Sequence, residues 1–79
     1  MEFKYYTKKE TGFGYHLWIA NTDEYVTIAK LDKKQYLVTN EATGSEEMFD
    51  NLKDAKSSAK LEVKSNNVAV NKDINFILG

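Results

Sequence analysis

Phe49-Asp50-Asn51-Leu52-Lys53-Asp54-Ala55-Lys56-Ser57-Ser58-Ala59-Lys60-Leu61-Glu62-Val63-Lys64 is the stretch on which the fold turns. Leu52, Ala55, Ala59 and Val63 recur every three or four residues, the spacing of one helical face. Asp50 or Asn51 can cap the helix, because either side chain accepts the orphan amide bonds of a first turn. Glu46, Glu47, Asp50 and Asp54 gather near its start, and Lys53, Lys56, Lys60 and Lys64 follow. That order suits the helix dipole. Ser65-Asn66-Asn67 is the expected end.

Outward from this segment the period changes to two. In Phe13 to Ala20, residues Phe13, Tyr15, Leu17 and Ile19 fall on one strand face; Gly14, His16, Trp18 and Ala20 fall on the other. Phe3 to Tyr6, Tyr25 to Leu31 and Gln35 to Thr39 read as further strands. Thr7-Lys8-Lys9-Glu10-Thr11-Gly12, Asn21-Thr22-Asp23-Glu24 and Asp32-Lys33-Lys34 supply turns, and Glu41 to Ser45 a loop. Connections this short make neighbouring strands antiparallel. Val68 to Leu78 alternates again and reads as a hairpin or one added edge strand. The expectation is a single α+β domain over residues 1–79. An antiparallel sheet of three to five strands carries one helix on one face, and a short C-terminal strand or hairpin follows the helix.

The chain has 79 residues, 42% apolar, with a net charge of −1. Cysteine, proline and arginine are absent, and His16 is the one histidine. A disulfide scaffold, a cysteine-ligated zinc site and a thiol nucleophile are therefore excluded. So is the guanidinium fork that best reads phosphate and guanine. No apolar run approaches the roughly 18 residues that span a bilayer, and the first nine residues lack the pattern of a signal peptide. The expected setting is cytoplasmic, with no membrane and no cofactor.

Catalytic motifs are missing as well. His16 lacks the partners of a metal site or a general base and reads as a strand histidine packed on its neighbours. Thr11-Gly12-Phe13-Gly14 lacks the spacing of a phosphate-binding loop, and no serine sits in a Gly-x-Ser-x-Gly turn. Glu46-Glu47 and Asp23-Glu24 are carboxylate pairs on expected loops, without the cleft that glycosidic chemistry needs.

Two surfaces remain. Lys53, Lys56, Lys60 and Lys64 fall within an arc of about 80° on the helix. They are either a contact for phosphates or a solvated flank whose stems cover the core rim. Residues 35–54 hold five acids against Lys53 alone, a local charge of −4, beside a sheet rich in aromatic rings. Ten aromatic residues are too many to hide under one helix, since each buries about 150–250 Å².

Three strands followed by a helix that begins Phe49-Asp50-Asn51-Leu52-Lys53-Asp54-Ala55-Lys56 resembles the arm-site DNA-binding domains of tyrosine integrases over residues 3–64. The resemblance implies a small phage or mobile-element domain whose sheet meets the DNA major groove through basic side chains. In this chain those are Lys4, Lys30, Lys33 and Lys34.

The leading expectation is a non-catalytic protein-interaction module, of a phage-type accessory or inhibitor kind, that binds an unidentified protein with a basic surface. Tyr6, Trp18, Tyr25, Glu46 and Glu47 are its candidate contacts. The alternative is a small nucleic-acid-binding domain using Lys53, Lys56, Lys60 and Lys64 together with the sheet lysines. Self-association through the tail or a sheet edge is a third expectation.

Overall fold

A computed structural model describes residues 2–78, and side chains for residues 2–67. The elements in chain order are β1 (Phe3–Tyr6), α1 (Lys8–Thr11), β2 (His16–Ala20), β3 (Asp23–Asp32), β4 (Gln35–Asn40), β5 (Ser45–Phe49) and α2 (Leu52–Leu78). The five strands form one open sheet in sequence order, every neighbouring pair antiparallel. Helix α2 packs on one face of that sheet, an α+β arrangement of two layers.

The turns explain the meander. Asn21-Thr22 and Lys33-Lys34 close two hairpins. Asp23 Oδ1 accepts the amide of Tyr25 at 3.1 Å, and Asp32 Oδ1 accepts that of Lys33 at 2.8 Å. Both are local bonds that compete with extended backbone and set the chain reversal. At the start of α2, Asn51 Oδ1 accepts the Asp54 amide at 2.8 Å, so of the two expected caps it is Asn51 that fills the role.

Four local expectations are corrected. Thr7 to Gly12 is not a plain turn but a one-turn helix with a capping box: Glu10 N donates to Thr7 Oγ1, and Thr7 N donates to Glu10 Oε1. The strand expected from Phe13 begins only at His16, because Gly12 (φ 70°) and Gly14 (φ 82°) sit in left-handed backbone, outside the extended region of a regular strand. Glu46 and Glu47 lie on an edge strand, not a loop. The helix does not end at Ser65-Asn66-Asn67, and the backbone of Val68 to Leu78 is helical where a strand or hairpin was expected. Asn66 is drawn sideways to the sheet instead of capping a terminus. With no proline or glycine until Gly79, nothing stops the helix. The spacing of Val70, Ile74 and Ile77 also fits a helical period.

The core is thin and built from small residues. Ala20, Val26, Ile28 and Val38 of the sheet meet Ala55, Ala59 and Val63 of α2, all buried. Ala55 and Ala59 let the helix lie close to the strands, which leaves little volume beneath it. Phe3, Trp18, Tyr36, Phe49 and Leu52 supply the missing apolar bulk from the rim. The strands nearest the backbone of α2 are β3, β4 and β5. The helix is thus off-centre, with β1 and β2 to one side of it.

Candidate functional site

The register divides the sheet into two chemically different faces. Residues paired directly across strands share a face, and alternate residues point to opposite faces. Phe3, Tyr5, Trp18, Ala20, Ile28, Val38, Tyr36 and Phe49 fall on the side of α2. On the other side one row crosses all five strands: Tyr6 pairs with Leu17, Leu17 with Ala29, Ala29 with Leu37, and Leu37 with Met48. The adjacent row is Lys4, Ile19, Thr27, Thr39 and Glu46. No element among the described residues packs over this second face, and Met48 is 48% exposed on it.

This division separates the five expected protein contacts. Tyr6 and Glu46 lie on the uncovered face, and Tyr25, two residues before Thr27 on the same strand, joins them by alternation. Trp18 and Glu47 point to the helix side. Glu46 and Glu47 are neighbours on β5, so they cannot act as one acidic patch. The acidic segment is likewise spread over two faces, a turn and a helix start.

A second concave feature lies on the helix side, between α2 and the β1–β2 edge. It is an open groove of about 420 Å³ lined by Glu2, Phe3, Tyr5, Trp18, Lys56 and Lys60. Tyr5 is paired with Trp18 across the strands, and their ring centroids are 5.0 Å apart. Trp18 continues to Tyr36 at 6.2 Å. The Tyr5 hydroxyl and His16 Nδ1 are hydrogen-bonded at 2.6 Å, and the two rings stack at 5.6 Å. Lys56 Nζ stands 5.9 Å from the Phe3 centroid, and Lys30 Nζ 5.5 Å from that of Tyr36. Of the four helix lysines, Lys56 and Lys60 line this groove, while Lys53 and Lys64 are exposed elsewhere on α2.

Tyr5 and Phe3 were not singled out as contacts from the sequence, whereas Lys30 was among the sheet lysines. The signal was present in the alternation of β1, but only the register brings Tyr5 opposite Trp18. Among the described residues no group of three or more histidine, aspartate or glutamate side chains is placed to hold a metal ion. No helix there is long and apolar enough to cross a membrane. No family model, curated protein or solved structure matches this chain.

Proposed function

We propose that this chain is a non-catalytic protein-interaction module, of the accessory or inhibitor kind, that docks a partner protein on the uncovered face of its sheet. The observation that carries this reading is the row Tyr6, Leu17, Ala29, Leu37 and Met48, which runs edge to edge with no covering element among the described residues. An antiparallel sheet with one solvated face ordinarily alternates to polar residues on that face. This one keeps leucines at its centre, and contiguous apolar surface of that kind marks interaction sites. Glu46 at the β5 end of the adjacent row, with Lys4 at its β1 end, favours a partner with a basic group facing β5 and an acidic one facing β1.

The test is a photo-crosslinking residue placed at Leu37, at the centre of the face, or at Leu61, 68% exposed on the helix. A discrete heterologous adduct is expected from position 37 and not from 61, and Leu17→Lys should abolish it while circular dichroism stays unchanged. Equal labelling from both positions would refute the proposal, as would adducts only to a second copy of the chain.

A further inference from the structure

We infer that the groove between α2 and the β1–β2 edge binds single-stranded nucleic acid, its bases stacking on Tyr5 and Trp18 and its phosphates meeting Lys56 and Lys60. This site is on the opposite side of the sheet from the proposed protein-docking face, and the two are independent.

The rings come first. Tyr5 is 48% exposed although it sits on the helix side of the sheet, because α2 lies over β3 to β5 and does not cover it. Trp18 is half-buried at the groove floor. The bond to His16 and the contact with Trp18 hold the Tyr5 ring in place before any ligand arrives. A fixed, accessible aromatic face is what an unstacked base needs, and stacking of this kind is tolerant of sequence. A duplex keeps its bases stacked inside and has nothing to offer these rings.

Charge comes second. Across the Tyr5–His16 contact from the groove lies a second, separate hollow that Lys8, Lys30 and Lys33 line together with His16 and Asp32. The two hollows together carry Lys56, Lys60, Lys8, Lys30 and Lys33 against Glu2 and Asp32, a local charge of +3 in a chain whose net charge is −1. The remainder of the molecule is therefore acidic, and five of the eleven lysines line the two hollows beside the rings. Such an asymmetry steers a polyanion to one side of the protein. Lysine without arginine gives point charges for phosphates but no bidentate fork for base edges. The expected binding is thus weakly dependent on sequence.

Trp18 is the one tryptophan in the chain, so its fluorescence reports on the groove directly. The experiment titrates the full chain with a twelve-residue oligothymidine at about 50 mM salt, beside a hairpin duplex and a heparin fragment. The single strand is expected to quench Trp18, with affinity falling as salt rises by about −0.7 in log–log slope for each phosphate neutralised. The duplex and heparin should leave the emission unchanged. The variant K56E/K60E changes only groove-lining lysines of α2, and Tyr5→Phe keeps the ring while losing the hydroxyl. The first should weaken binding by at least about tenfold, and Tyr5→Ala by about tenfold, whereas Tyr5→Phe should retain most of it. Circular dichroism identifies any variant that has lost its fold. Absence of quenching, equal binding by folded K56E/K60E, or equal quenching by duplex or heparin would each overturn the inference.

Discussion

Asn40 and Asn66 exchange two hydrogen bonds across the gap between sheet and helix: Asn40 Nδ2 donates to Asn66 Oδ1 at 3.0 Å, and Asn66 Nδ2 donates to Asn40 Oδ1 at 3.1 Å. Asn40 is 0% exposed, the one buried polar residue of the core region described. Its amide also donates to Glu62 Oε2 at 2.8 Å, and its Oδ1 accepts the Ala42 amide. Asn66 donates further to Asp23 Oδ2 at 2.7 Å. Every buried side-chain nitrogen and oxygen among the described residues is satisfied. A hydrocarbon contact allows a helix to slide, whereas paired amides have one geometry. This clasp sets where α2 lies along the sheet.

Removing one side of the clasp leaves the other unsatisfied. Asn40→Ala is expected to cost about 1–3 kcal/mol in urea unfolding, since Asn40 is fully buried and its loss removes four side-chain hydrogen bonds at once. Asn66→Ala should cost less, because the buried Asn40 then keeps its bonds to Glu62 and the Ala42 amide. A double variant should fall short of the sum by at least about 0.5 kcal/mol. Strict additivity would show that the two amides act separately.

The close seat of α2 depends on Ala59, which is fully buried against the sheet. Ala59→Leu should destabilise by about 1–3 kcal/mol through overpacking, although leucine is nearly as good a helix former. Its effect appears as a lower urea midpoint. A neutral result would mean that the helix rides higher than the contacts of Val26, Ile28 and Val38 imply.

Asn51 gives a cleaner local test, because it is exposed and its side chain bonds only to Asp50 and Asp54. Losing its bond to the Asp54 amide in Asn51→Ala should cost about 1 kcal/mol, and Asn51→Ser should recover most of that. Thermal unfolding followed by circular dichroism is sufficient to measure both.

Gly12 separates strain from crowding. Its φ is 70°, yet a Cβ built there meets nothing within 4 Å. Gly12→Ala should therefore cost about 1 kcal/mol from backbone conformation alone, and Gly12→Asn less, because asparagine visits the left-handed region more readily. Equal costs for the two substitutions would contradict a purely conformational origin.

The sequence by itself determined the two periods and their order, hence a meandering sheet followed by a helix. It also determined the hairpin turns at Asn21-Thr22 and Lys33-Lys34 and narrowed the cap of α2 to Asp50 or Asn51, of which the structure uses Asn51. These follow from bonds between residues close in the chain, which local side-chain chemistry encodes. The capping box of α1 reads as a plain turn, although Thr7-Lys8-Lys9-Glu10 carries the spacing of one. Strand β5 was not legible, because four of its five residues are exposed at a sheet edge and bury no apolar face that would mark them. Nor was the length of α2, since Ser65-Asn66-Asn67 looks like a stop until Asn66 is seen bonded to residues 26 and 43 positions away.

Only the tertiary structure decided which face of the sheet meets the helix. Trp18 with Ala20 and Leu17 with Ile19 are both apolar pairs, so alternation on β2 cannot choose between them. The choice falls to residues far apart in the chain: small Ala55 and Ala59 seat against Val26, Ile28 and Val38, and the Asn40–Asn66 clasp holds them there. That placement leaves Leu17 and Leu37 half-buried on the side without a helix and Tyr5 and Trp18 beside two lysines on the other. Both surfaces result from packing between distant segments, which no local pattern records.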